Sequence, residues 1–370
     1  MNIKLTRRDL IKKINLLKPL DKNVPIAIYG SGIFAQDLKD ALDESGYDFR
    51  FFVNKDNFLK KLKISNSLKI SEKIFLNYKE KIQLVIGVHN REVPISKLIK
   101  KFKKNIHIDI FYPQDIFHLV EEKMGWRYWL SSKDYLLKRE NFTKFSKALS
   151  LLSDNLSRER LCSIYKYRLG LMNIYSNFMD KEKQYFNKIS IPKRKNIIYC
   201  DIGAFDGDTI SSALKNLFLR EIYAFEPVSE SFKSLIKKFK TENIRYNFLP
   251  LGVSNQYKKT SFSNSDLSSE SARIEETGND FINTISLDES FNIDFNFIKI
   301  DVEGFEKDVL LGAKKTIMRA KPVIAMSLYH NPYDLWELPI LIKKILPEYK
   351  LYVRQHYFNT FDCVLYCIPR

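Results

Sequence analysis

The stretch Asn196–Pro227, NIIYCDIGAFDGDTISSALKNLFLREIYAFEP, carries the side chains best suited to binding and catalysis. An apolar run, Ile197 to Cys200, leads into Asp201-Ile-Gly-Ala-Phe-Asp-Gly-Asp208. A helical pattern starts at Thr209, and a second apolar run, Ile222 to Phe225, ends on Glu226-Pro227. Strand, glycine turn, helix, strand and terminal acid is the order in which an open parallel sheet builds a nucleoside pocket at the carboxyl ends of its strands. On this reading Gly203 and Gly207 let the backbone approach a ligand where a Cβ would collide, and Glu226 can chelate the two hydroxyls of a ribose. The D-x-G-A-x-x-G turn differs from the dinucleotide pattern G-x-G-x-x-G. It suits S-adenosylmethionine (SAM), which has no pyrophosphate to cradle.

Two later blocks reach the same edge. Phe297-Ile-Lys-Ile-Asp301-Val-Glu303-Gly-Phe-Glu306 is an apolar strand running into acids and then an amphipathic helix. Asp301 therefore emerges beside Asp201 and Glu226. Ser327-Leu-Tyr-His330-Asn-Pro-Tyr-Asp334-Leu-Trp336 follows the next strand and brings His330 opposite Asp301, a placement that suits a proton carrier. Asn331-Pro-Tyr333 is similar to the N-P-P-Y tetrapeptide of amino-group methyltransferases, but it lacks one proline and follows a different strand.

The elements that must position these residues alternate strand and helix. Expected strands are 197–201, 221–226, 245–251, 295–301, 322–328, 349–355 and 362–368, the last two joined by a short HYFNTF connection. Residues 252–290, rich in Ser, Asn and Thr, read as an irregular or hairpin insertion. Upstream, 24–30 (VPIAIYG), Phe49–Val53 and Leu84–Val88 read as strands of a smaller Rossmann-like unit. Gly30-Ser-Gly32-Ile-Phe-Ala35 is its turn. Its second strand ends in Asn54 where a dinucleotide site has Asp or Glu, so the turn suits either a ligand or a purely structural role. From Tyr135 to about Asn187 the pattern is helical, with Phe142, Phe145, Leu149, Leu152 and Leu156 on one face. The domains expected are thus 1–118, Rossmann-like; 119–195, a helical connector; and 196–370, a catalytic core.

Residues 196–370 resemble the FkbM-type family of SAM-dependent methyltransferases through DIGAFDGDT (201–209), FEP (225–227), IKIDVEGFEKDVLLGA (298–313) and YHNPYDLWELP (329–339). The resemblance implies a Rossmann-like class I methyltransferase sheet, mostly parallel, with an antiparallel strand in its C-terminal hairpin. It implies that Asp201, Gly203, Ala204, Phe205, Asp206, Gly207 and Thr209 surround the methionine part of SAM, that Glu226 and Pro227 hold the ribose, and that Gly252 and Val253 lie by the adenine. Asp301 and Glu303 would face the methyl-transfer site. Family members typically methylate hydroxyls of sugars or polyketides, often in surface polysaccharide biosynthesis. The acceptor implied is a carbohydrate or glycoconjugate, free, nucleotide-linked or lipid-linked.

The leaving group of SAM is already activated, so the protein must mainly align a nucleophile within about 3–3.5 Å. A sugar hydroxyl, with a water-like pKa near ~15.7, needs a base as well. His330 is the first candidate and Asp301 the second. Asp301 could instead orient His330 or stabilise the sulfonium, and a divalent ion on Asp301 and nearby acids could equally lower the acceptor pKa. The sequence has no H-x-E-x-H cluster, so no metal ligands are assigned.

The 370 residues carry a net charge of +17, which favours anionic partners. RNA methylation is therefore an alternative, although no separate RNA-binding signature accompanies it. A non-catalytic nucleotide or sugar-nucleotide binding protein is a second. The basic amphipathic start, MNIKLTRRDLIKKINLLKPL, permits peripheral membrane contact. Cys162, Cys200, Cys363 and Cys367 form no C-x-x-C pair, no signal peptide or membrane span is apparent, and the expected setting is the cytoplasm with reduced thiols.

Overall fold

Parallel strands covered on both faces read as unbroken apolar runs, and the two main sheets of this protein are built from such runs. The computed structural model describes residues 5–55, 69–89, 91–124, 133–172, 175, 177–239, 244–263, 273–274 and 280–370. The chain divides into two compact units, one comprising 1–146, 158–180 and 355–362, the other 147–157, 181–354 and 363–370. The expected connector 119–195 thus contributes to both units.

The first unit holds five parallel strands, β1 (Ile26–Tyr29), β2 (Phe49–Asn54), β3 (Lys69–Ser71), β4 (Ile82–Ile86) and β5 (Ile108–Phe111), in the order β3-β2-β1-β4-β5. Strands β3 and β5 are additions to the sequence reading. The helix Ile33–Glu44 turns Ala35, Leu38, Ala41 and Leu42 inward, the spacing of one helical face. The N-terminal helix Arg7–Ile14 is capped by Thr6, whose hydroxyl accepts from Asp9 N, and it buries Leu10. Helices continue over Lys133–Leu137, Arg139–Leu151 and Asn155–Arg168. They stop there and do not run on to Asn187. Gly170 adopts φ +76°, and a Cβ on it would come within 2.6 Å of Asp115 Oδ1, so the chain leaves the helix at a position that only glycine fits.

The second unit contains β6 (Ile197–Ile202), β7 (Leu219–Phe225), β8 (Arg245–Leu249), β13 (Phe297–Ile300), β14 (Val323–Ser327), β15 (Lys350–Gln355) and β16 (Cys363–Ile368), in the order β15-β16-β14-β13-β6-β7-β8. Strands β6, β7, β8, β13 and β14 are parallel, and β16 runs antiparallel to β14. This is the α/β, mostly parallel sheet with an antiparallel C-terminal strand that the sequence implied. Strand β6 lies between β7 and β13, where connections leave to both sides and a crevice opens at the carboxyl ends. The insertion is more ordered than a hairpin: β9 (Gly252–Val253), β10 (Lys258–Ser263), β11 (Arg273–Ile274) and β12 (Asp280–Ile285) form their own sheet, β11-β10-β12-β9. All four cysteines are free and buried. Among the described residues no helix is long and apolar enough to cross a membrane.

His89, just beyond β4, is buried, with Nε2 3.3 Å from the Tyr167 hydroxyl. Burial, and then the Arg168 charge, push its pKa down from 6.5 to about 3. The unfolded chain therefore takes up this proton first. The stability contributed by neutral His89 is present above about pH 6.5 and is lost as pH falls toward about 3, at up to ~1.4 kcal/mol per pH unit. Denaturant titrations across this range should show that slope, and His89→Gln should flatten it; an unchanged slope in the variant would assign the loss to other groups.

Candidate active site

The site lies in the second unit, at the carboxyl edge of the sheet, and its floor is an ion pair. Asp201 sits within β6, and the parallel register sets it beside Lys299 of β13. Asp201 is wholly buried and Lys299 is 3% exposed; Lys299 Nζ is 3.2 Å from Asp201 Oδ1. Lys299 also donates to the carbonyl of Gly203 at 2.5 Å, and the Thr209 hydroxyl donates to Asp201 Oδ2 at 2.7 Å. Burial opposes the charge on Lys299, but Asp201 and Asp301 outweigh it and raise its pKa, so the ammonium keeps its proton. Burial likewise raises Asp201 against the pull of Lys299 and Thr209. The pair ties β6, β13 and the glycine turn into one rigid piece.

Gly203 and Gly207 also allow close packing within the protein. Gly203 has φ +79°, and a Cβ there would lie 1.8 Å from the Asp301 carbonyl; at Gly207, φ +83°, it would lie 2.4 Å from the Phe239 ring. Ala204 is buried, Thr209 nearly so, and Asp206 pairs with Lys238 at 3.1 Å on the surface. Phe205 adopts φ +48°, and its N–H donates to Glu226 Oε2 at 2.8 Å. Glu226, at the end of β7 and mostly buried, accepts from Val228 N through Oε1 at 2.8 Å. Burial raises its pKa despite these two amides. The carboxylate thus braces the turn and the residues after Pro227. A carboxylate offers about four lone-pair sites, so two remain for a diol. Gly252 and Val253 form β9, paired with Thr284 and Ile285 of β12.

Asp301 follows β13 and is gripped from two sides. The Tyr185 hydroxyl donates to Oδ2 at 2.8 Å and the Ser327 hydroxyl to Oδ1 at 2.7 Å. Burial would raise its pKa, but Lys299, His330 and these hydroxyls together hold it below 3.8. His330, 1% exposed, places Nε2 3.5 Å from Asp301 Oδ1 and 3.7 Å from Glu303 Oε2. Its Nδ1 meets Glu306 Oε1 at 2.7 Å. Glu306, wholly buried, also accepts from Val302 N at 3.1 Å, and Asn331 Nδ2 donates to the Gly304 carbonyl at 2.9 Å. These bonds fix the turn that carries Glu303, itself at φ +53°. Burial opposes a charge on His330, yet Glu306, Glu303 and Asp301 outweigh it and lift its pKa well above 6.5. Three carboxylates face one imidazolium, which leaves surplus negative charge suited to a cationic ligand.

The fold therefore gathers Asp201, Glu226, Asp301, Glu303 and His330 at one edge. Tyr185, Lys299, Glu306 and Ser327 belong to the same network and were not singled out from sequence. Lysine inside the apolar run FIKI was a visible signal, since a charge there demands a buried partner. Tyr185 lies in an irregular segment and gave none. Asp301, Glu306 and His330 also offer ligand atoms within 4.8 Å of one another, a set a divalent ion could use. Glu306 Oε1 and His330 Nδ1, however, point at each other, which is the geometry of a proton-handling pair.

Residues 201–356 match the family model described as the methyltransferase FkbM domain. The crystal structure of a methyltransferase FkbM from Methylobacillus flagellatus KT superposes with a TM-score of 0.78 at 16% identity, covering 98% of this chain and 99% of that one. A putative rRNA methylase from Clostridium thermocellum matches 48% of this chain and 87% of its own at 10% identity, TM-score 0.33. A SAM-dependent methyltransferase from Aquifex aeolicus matches 48% and 84% at 11% identity, TM-score 0.28. No curated protein sequence matches the chain.

Removing one partner of a buried pair strands the other charge. Lys299→Met should therefore destabilise the second unit by about 3–5 kcal/mol, and adding Asp201→Asn should restore much of the loss. Urea unfolding of the two variants checks this; a double variant no more stable than the single one would show that the pair is not the source.

Proposed function

From a chain whose residues 201–356 are an FkbM-type, SAM-dependent methyltransferase domain, we propose an enzyme that methylates a hydroxyl of a sugar or glycoconjugate, in surface polysaccharide or related biosynthesis. The observation that carries the proposal is the buried Glu306–His330 pair beside Asp301 and Glu303. A hydroxyl nucleophile needs its proton removed as the new bond forms, whereas an already ionised acceptor does not. The carboxylates of Glu303 and Asp301 suit hydrogen bonding to a polyhydroxylated ring. The same carboxylates would repel a phosphodiester backbone, which disfavours the RNA reading despite the net charge. Four free thiols accord with a cytoplasmic setting.

The geometry supports the following roles. The Gly203–Thr209 turn, Glu226 and Gly252–Val253 would hold the cofactor, Glu226 through the two lone-pair sites its amide partners leave. SAM supplies a methyl group on a sulfonium that bears one positive charge. Asp301 and Glu303 compensate positive charge at this edge. Glu306 holds Nδ1 of His330, so Nε2 is turned toward Asp301 and Glu303, beside which the acceptor hydroxyl would lie. While three carboxylates act on it, His330 stays an imidazolium and cannot serve as a base. With the cofactor's positive charge bound beside Asp301, the hold of the carboxylates on His330 would weaken, and Nε2 would be the atom able to take the hydroxyl proton.

Two results are expected from steady-state kinetics with SAM and a panel of sugar nucleotides and glycans. His330→Ala should lower turnover roughly 10²–10⁴-fold while SAM affinity, measured by calorimetry, is kept. Wild-type turnover in this variant would remove His330 from the chemistry. In the second test, turnover should rise with pH as His330 loses its proton. Because Glu306 raises the His330 pKa, Glu306→Gln should move that rise to lower pH; a rise that stays in place or moves up would contradict the pairing.

A further inference from the structure

The first unit carries a turn that the methyltransferase reading does not use. In its order β3-β2-β1-β4-β5, strand β1 has connections leaving to both sides, and the switch point of such a sheet lies at its carboxyl end. There the chain reads Gly30-Ser31-Gly32, followed by the 12-residue helix Ile33–Glu44. The three small residues of this segment do three separate things. Gly30, at φ +100°, makes the tight turn; a Cβ on it would come within 2.6 Å of Val88 Cγ2. Ala35 is fully buried, and a Cβ on Gly87 of the neighbouring strand end would lie 2.7 Å from its own Cβ, so helix and sheet are in close contact. Gly32, the N-cap, is demanded neither by packing nor by a left-handed backbone: its φ is −74°, and a Cβ on it would meet nothing within 4 Å. No side chain caps the helix there. With no side-chain cap, the N–H groups of the first helical turn keep their capacity to bond an anion.

A second observation is independent of the helix end. Asn54, the last residue of β2, is 4% exposed. Its Oδ1 accepts from the Ser31 hydroxyl at 3.2 Å, which sets the amide against the glycine turn. Its Nδ2 is buried with no hydrogen-bond partner. A buried donor left without an acceptor is costly, which favours a ligand oxygen beside it. The end of this strand is where the fold brings a ribose, and a ribose hydroxyl oxygen can accept from Nδ2.

We propose that the first unit binds a nucleoside diphosphate, with the phosphates on the amides of the Gly32–Ala35 turn and the ribose on Asn54 Nδ2. Two variants test this, with a melting curve as the check on folding. Gly32→Glu sends a carboxylate into open space at the phosphate position. Asn54→Leu removes the stranded donor. Calorimetric titration of the full chain with ADP, UDP and inorganic pyrophosphate is read beside a SAM titration and a melting curve. ADP or UDP should bind the wild-type chain, and each variant should weaken that binding about tenfold or more. Melting temperature should be kept in Gly32→Glu and kept or raised in Asn54→Leu, with SAM affinity unchanged in both. Three results would overturn the proposal: neither nucleotide binding at millimolar concentration, nucleotide affinity unchanged in both variants, or pyrophosphate binding as tightly as the nucleotides. The SAM titration reports separately on the second unit, so failure here leaves the methyltransferase assignment standing.

Discussion

One imidazole under the pull of three carboxylates governs the carboxyl edge of the second sheet. His330 is buried between Glu306, Asp301 and Glu303, and a charge in such a place persists only while opposite charges surround it. Each acid is in turn fixed by the fold. Asp301 is held by Tyr185 and Ser327. Glu306 starts a helix and bonds the backbone of Val302. Glu303 rides on the turn that Asn331 fastens at Gly304. None of these groups can relax far without exposing another to an unmatched charge.

Beneath that edge the Asp201–Lys299 pair plays a different part. It lies between adjacent strands and reaches the carbonyl of Gly203, so the strand that presents Asp301 and the turn that follows β6 move as one. Gly203 permits the contact, since its α-carbon abuts the Asp301 carbonyl. Preorganisation of this kind matters for methyl transfer, in which alignment of two reacting atoms supplies much of the rate.

Much of this was legible in the chain. The strands that build the second sheet announce themselves as apolar runs ending in acids, and the observed β6, β7, β13 and β14 fall where those runs lie. The roles of single residues were harder to read. Asp201 looks from sequence like a residue at the mouth of a pocket, but it lies one register step inside β6 and faces Lys299. Only the pairing of two strands far apart in sequence reveals that partner. Glu306 resembles any acid in the first turn of a helix, where such residues are common. Its bond to His330 depends on a strand and loop that follow later in the chain. Tyr185 reaches Asp301 from an irregular segment with no periodicity to place it. The insertion concealed a sheet of its own because β9 and β11 are two residues long, too short for alternation to register.

The proposed chemistry turns on the protonation state and tautomer of His330. Nitrogen-15 chemical shifts of its ring, followed across neutral pH, report both. The expected result is a doubly protonated ring at pH 7 in the unliganded protein which, on losing a proton, keeps hydrogen on Nδ1 toward Glu306 and leaves Nε2 as the acceptor. A ring already neutral below pH 6.5, or one that keeps its last proton on Nε2, would contradict it.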